Sequence, residues 1–219
     1  MKKFVSLTVL IIPFLLQGQS MTSIFRLLPA TCTPELNSTQ KDTLLQTKEY
    51  IIPGGDTIET AKYEIEIDEA QEYLRYDYYF TTGQKGFNTY ELRKFKKKDG
   101  SLIIVFSNYG GMTKAFDQTE IYAFRYQNDK LIKIDEQLFP QRIDANIFLK
   151  PNTPDSIREK VHIYSSCSYD LSPELKDSIA YRLFFEIIND ENEKYLLGDT
   201  VFFTWTGESF KQGKVTNSD

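Results

Sequence analysis

Among 219 residues the chain holds one histidine, one tryptophan and two cysteines. With His162 alone, neither a histidine-based metal centre nor a Ser–His–Asp relay has the partners its geometry demands. Val161, Ile163 and Tyr164 flank His162, a setting for a surface or hydrogen-bonded imidazole. No Gly-x-Ser-x-Gly elbow is present, so Ser165-Ser166-Cys167-Ser168 reads as a small polar loop. Gly54-Gly55 and Gly110-Gly111 lack the Lys-Ser/Thr follower of a phosphate-cradling loop and read as turns. The acidic Asn189-Asp190-Glu191-Asn192-Glu193 lacks calcium-loop spacing and reads as a solvated turn. The sequence therefore predicts no catalytic set, no metal and no cofactor.

Positive charge is also short, with 26 Lys and Arg against 31 Asp and Glu and a net charge of −5. Such a chain has no general attraction for nucleic acid or anionic membranes. The local exception, Arg93-Lys94-Phe95-Lys96-Lys97-Lys98, reads as a solvated strand end or an edge guard, with a phosphate or polyanion contact as the lesser reading.

Long apolar runs are missing except at the start. Lys2 and Lys3 precede an uncharged run from Phe4 to Leu16, and Gly18 and Ser20 put small residues three and one positions before Met21. That order is a secretory leader over residues 1–20, shorter in its apolar part than the ~20 residues a bilayer span needs. The expectation is an exported protein, periplasmic or secreted, with no transmembrane segment in the mature chain. In an oxidising compartment Cys32 and Cys167 either close a disulfide between the arm and the second half or stay as two unpaired thiols. Two cysteines so far apart make a poor zinc site. Leu28-Pro29-Ala30-Thr31-Cys32 has a partial likeness to a lipoprotein signal, but Thr31, Pro29 and Arg26 depart from that pattern, so lipid at Cys32 is the lesser expectation. Asn37-Ser38-Thr39 matches a glycosylation sequon, which matters only in a eukaryotic secretory host.

What the chain has in quantity is aromatic: 16 Phe and 14 Tyr. Such side chains favour pleated, half-buried surfaces. Residues 21–47 carry Pro29, Pro34 and many Ser and Thr without a sustained period, and read as an N-terminal arm or loop. A β-rich body is expected over 48–214, with a sub-boundary near 140–151 and a frayed tail at 215–219. Tyr63, Ile65 and Ile67 alternate with Glu64, Glu66 and Asp68, as a strand with one wet face does. Leu74, Tyr76, Tyr78 and Phe80 repeat that pattern, followed by a turn over 82–86. Asp99-Gly100 between Tyr90–Lys96 and Leu102–Phe106 predicts a hairpin. The second of those runs is apolar on both faces, so a central, doubly covered strand is expected, broken by Asn108-Tyr109-Gly110-Gly111. Tyr122, Phe124 and Tyr126, a turn at Asn128-Asp129 and Leu131–Ile134 form a like hairpin, a loose repeat of the kind found in meanders and propeller blades.

Farther on, Thr153-Pro154-Asp155-Ser156 and Ser172-Pro173-Glu174 predict short helical starts. Tyr181–Ile188 reads as one helical turn followed by strand, and Val201–Trp205, a turn at Gly207 and Phe210 onward as a last pair. The fold class expected is mainly β: antiparallel meander or hairpin sheets, sandwich-like or partly propeller-like, with one or two short helices.

Asp68, Tyr73-Leu74, Tyr90-Glu91-Leu92, Phe95, Asp99-Gly100 and Trp205-Thr206-Gly207-Glu208-Ser209-Phe210, spread over residues 63–211, resemble a group of small exported β-rich bacterial proteins of unknown function. The resemblance implies a leader and a β fold, and no activity or site residue comes with it.

Two routes to function stay open. Carboxylate pairs can hydrolyse glycosides when set roughly 5–9 Å apart, although Glu64 and Glu66 read as the wet side of their strand. Exposed rings can stack on a sugar or anchor a protein partner, and Tyr79, Tyr109 and Trp205 are the candidates. The expected function is non-enzymatic surface binding to a glycan or protein partner. A carboxylate-dependent hydrolase on carbohydrate and a periplasmic enzyme inhibitor are the alternatives.

Overall fold

Alternation builds the first sheet. In the computed structural model, which describes residues 19–34, 36–54, 59–81, 86–112, 115–134, 138–139, 145–185 and 193–217, seven strands lie in space in chain order. They are β1 (Glu49–Ile52), β2 (Ala61–Asp68), β3 (Tyr73–Phe80), β4 (Gly86–Lys96), β5 (Leu102–Met112), β6 (Ala115–Gln127) and β7 (Lys130–Ile134), every neighbour antiparallel. Because side chains alternate with period two, one set (Tyr63, Ile65, Leu74, Tyr76, Tyr90, Leu92, Ile104, Phe106, Phe124) points to one face. The other set (Tyr73, Phe95, Ile103, Val105, Ala123) points to the opposite face. Each set forms its own core, so Ile103–Phe106 is buried on both sides, as its doubly apolar sequence predicts.

The first core is closed by the arm, which is helical rather than a loop. α1 (Met21–Leu27) and α2 (Ser38–Thr47) flank a short turn at Ala30–Cys32. Met21, Ile24, Phe25, Leu28, Cys32, Leu36, Leu44 and Leu45 pack against the sheet. Ser20 caps α1 by accepting the Ser23 N–H at 3.1 Å. Asn37 and Gln40 cap α2 reciprocally, so the sequon asparagine serves as a cap. The hydroxyls of Tyr76 and Tyr63 donate to the carbonyls of Cys32 and Pro34, tying the arm to β3 and β2.

The second core lies between the seven-stranded sheet and an antiparallel sheet in the order β11-β10-β9-β8. Its strands are β8 (Ser165–Asp170), β9 (Ser178–Phe185), β10 (Thr200–Trp205) and β11 (Phe210–Thr216). α3 (Asp155–Tyr164) precedes it, starting at Pro154, and His162 lies on that helix with its side chain outside the described residues. The architecture is mainly β, eleven strands in two packed sheets among the described residues, without a propeller-like arrangement.

Several local expectations are corrected. β5 continues through Asn108–Gly111 and pairs with β4 to Met112, the irregularity being a bulge against β6 at Asn108/Tyr109. Gly110 is a glycine within the strand because a Cβ there would lie 2.3 Å from Asn88 Oδ1. Residues 165–168 form strand β8, and 178–185 are strand throughout, with no helical turn. Arg93 and Lys94 guard no edge: β4 is interior and both side chains are buried. Pairing in β11 extends past Lys214 to Thr216, which faces Thr200. Residues 82–85 of the turn expected over 82–86 and residues 189–192 of the acidic stretch 189–193 lie outside the described residues.

The cysteines are not bonded to each other. Cys32 belongs to the core under the helices and Cys167 to the core between the sheets, with the seven-stranded sheet separating them. Neither gains a partner thiol, and burial pushes the Cys32 thiol up from its ordinary value. Among the described residues no helix is long and apolar enough to cross a membrane.

Candidate functional site

The four-stranded sheet covers only part of the face it packs on. Tyr73, β4, β5 and β6 supply the residues beneath it, whereas Ile51 on β1 is exposed and Lys62 and Glu64 on β2 lie at the surface. A step results, with a floor on β3–β5 and a wall on β8–β9. Tyr73, Arg75, Asp77 and Tyr79 on β3, and Phe87, Thr89 and Glu91 on β4, share the floor by alternation. Register sets Arg75 opposite Glu91, Asp77 opposite Thr89, Tyr79 opposite Phe87, and Thr89 opposite Tyr109 on β5.

At the foot of the step the Arg75 guanidinium forks onto Asp77, with Nε to Oδ2 at 3.0 Å and Nη2 to Oδ1 at 3.1 Å. The Thr89 hydroxyl donates to the same Oδ1 at 2.6 Å. Tyr109 is hydrogen-bonded to Thr89, and burial followed by the nearby Glu91 charge pushes its phenol up to about 12. On the wall, Arg182 Nε donates to Asp170 Oδ2 at 2.8 Å. Both ion pairs are partly exposed, so each is worth little for stability but presents fixed donors and acceptors.

Beside these polar groups runs a line of rings. Phe87 meets Tyr109 edge-on at 6.3 Å and Phe116 at 5.7 Å. Phe116 lies 5.8 Å from Tyr109 and 5.1 Å from Phe184, whose ring is 42 % exposed on the wall. Tyr79 extends the line onto the uncovered part of the sheet, half-buried and hydrogen-bonded with Glu64 and Lys62.

Sequence reasoning named Tyr79 and Tyr109, and the fold brings them to one surface through Phe87. It does not bring Trp205 there. That ring lies 5.9 Å from Phe95 and 4.9 Å from Phe210, and its Nε1 donates to Lys96 O at 2.7 Å, joining the two sheets at another place. Phe87, Phe116, Phe184, Arg75 and Asp77 were missed, because strand register, and for Phe184 the packing of the second sheet, places them beside Tyr109.

Glu91 was missed as well. It is 3 % exposed and sits deeper than Arg75, with Oε1 accepting the Tyr73 hydroxyl at 2.6 Å and Oε2 the Leu171 N–H at 3.2 Å. Burial raises its carboxyl to about 7 against those two hydrogen bonds. A raised acid is what glycoside hydrolysis asks of a proton donor. Here, however, both oxygens are occupied by the protein itself. Among the described residues no three His, Cys, Asp or Glu side chains gather closely enough to hold a metal.

No protein-family model matches the chain, and no curated protein matches it. One solved structure is similar in fold: a domain of an uncharacterized protein from Porphyromonas gingivalis W83, at a TM-score of 0.59 and 14 % identity. The match covers 88 % of this chain and 96 % of that one, so nearly the whole two-sheet architecture is shared.

Proposed function

We propose that this protein is an exported, non-enzymatic binding module that takes a glycan along the step between its two sheets. The observation that carries the reading is the line Tyr79–Phe87–Tyr109–Phe116–Phe184 running beside the Arg75–Asp77–Thr89 group. Ring faces and edges receive the C–H side of a sugar, while fixed carboxylate, guanidinium and hydroxyl groups read its hydroxyls. The leader and the resemblance of residues 63–211 to small exported bacterial proteins support the compartment. The engagement of both Glu91 oxygens by Tyr73 and Leu171 argues against a two-carboxylate hydrolase.

A glycan array followed by calorimetry tests this. Binding of at least one oligosaccharide is expected, weakened roughly 10-fold or more by Tyr109→Ala, since an anchor ring commonly supplies over 1 kcal/mol. Release of new reducing ends from the bound glycan would favour the hydrolase. Absence of glycan binding alongside a Tyr109-dependent protein complex would favour the inhibitor or another protein-binding role.

A further inference from the structure

The chain enters its core at Met21, whose side chain is fully buried under the seven-stranded sheet. Two groups hold that entry point. From the leader side, Ser20 accepts the Ser23 N–H at its hydroxyl and the Ile24 N–H at its carbonyl, at 3.1 and 3.0 Å. From the body, Glu69 in the β2–β3 turn accepts the Met21 N–H on Oε2 at 2.6 Å. Its Oε1 accepts the Thr22 N–H and hydroxyl at 2.9 and 2.7 Å. Small residues at Gly18 and Ser20 mark the bond after Ser20 as the leader's cleavage point. A cut there removes the Ser20 cap and leaves Glu69 as the side chain that holds the segment.

We infer that the Ser20–Met21 bond is the processing site, and that Glu69 is the built-in receptor for the α-ammonium that cleavage creates on Met21. The inference rests on the export reading given above. In the cleavage, water supplies its hydroxyl to the Ser20 carbonyl carbon and a proton to the Met21 nitrogen, with a leader-cleaving endopeptidase as catalyst. The nitrogen takes up one further proton at neutral pH. A neutral amide donor 2.6 Å from a carboxylate oxygen thereby becomes an ammonium, which adds the attraction of opposite charges to that hydrogen bond. A cut at any bond beyond Met21 would instead begin to strip α1, whose Met21, Ile24 and Phe25 fill the first core. Lipid attachment at Cys32 needs such a cut.

Mass spectrometry of the chain recovered from outside the cytoplasm of its expression host is expected to find Met21 first. A retained residue 1 overturns the export reading, whereas a different first residue overturns the junction alone. Two recombinant chains released from a fusion, one beginning at Met21 and one at Gln19, then test the receptor. Each is melted as wild type and as Glu69→Gln between about pH 6 and about pH 10.

A base whose folded pKa is raised contributes stability below its unfolded value, and the contribution is lost as pH rises through the folded value. In the Met21 chain, Glu69→Gln is expected to lower the melting temperature by about 2–4 °C more at the acid end than at the alkaline end. In the Gln19 chain its effect is expected not to change with pH. The same pH-independent loss in both chains overturns the receptor role. If Glu69→Gln does not fold, the wild-type pair decides: a melting difference between the two chains that does not change with pH overturns the proposal.

Discussion

Glu91 and Arg93 stand two residues apart on one face of β4 and hold a single loop together, Glu91 at its start and Arg93 from its start to its end. Glu91 Oε2 accepts the Leu171 N–H at the start of the β8–β9 connection. Arg93 Nη1 donates to Ser172 O at 2.8 Å and, across the loop, to Ser178 O at 3.0 Å. Its other amino group donates to the carbonyls of Pro173 and Lys176. Five-donor, planar geometry is what makes one side chain able to do this. Arg93→Ala is therefore expected to lower stability by about 3 kcal/mol or more, because several carbonyls lose a charged donor at once. Arg93→Lys should restore little of it. Urea unfolding midpoints check both.

The pH dependence follows from Glu91. Its carboxyl is raised from the ordinary carboxylate range to about 7, with burial as the leading cause. The folded chain therefore keeps a proton that the unfolded chain releases once pH passes the ordinary value. The resulting stability is fully present below that ordinary value and lost as pH rises through about 7. Replacing Glu91 with Gln should flatten this slope, a difference on the order of 3 kcal/mol between the two ends of the window. Chemical denaturation of both chains at a series of pH values measures it.

For the thiols, the expectation is simple. Cys32 is fully buried with its sulfur 3.1 Å from the Tyr122 hydroxyl, and Cys167 is 7 % exposed. A thiol reagent should find both unreactive in the folded protein and both reactive after unfolding. Reduction should leave gel mobility unchanged.

Trp205 and Tyr109 should separate by phenotype. Trp205→Phe removes the Nε1 bond to Lys96 O and is expected to cost about 1 kcal/mol of stability without changing glycan affinity. Tyr109→Ala is expected to reduce glycan affinity while the two-sheet fold persists, as circular dichroism and calorimetry together would report.

Strand positions were legible because period two is a local signal. The doubly apolar Ile103–Phe106 announced a covered strand, and Asn128-Asp129, both in the left-handed region, announced the β6–β7 turn. The helical arm was not legible, since α2 buries only Lys41, Leu44 and Leu45 and so shows no apolar stripe. Arg93 looked like a member of a solvated basic run, because nothing local distinguishes it from Lys96 three residues further on. The candidate site depends on which strands become neighbours. Tyr79 and Tyr109 are separated by thirty positions in sequence and by one intervening strand in space.

A sheet that lends its two faces to two different cores cannot be divided. A fragment ending at Ile134 would leave Phe95, Ile103, Val105 and Ala123 open to water, and a fragment beginning at Ser165 would lack the surface that its own inner residues grip. The two halves should therefore unfold in one transition rather than in turn. Any partner that pries the small sheet away would have to melt the whole protein to do so.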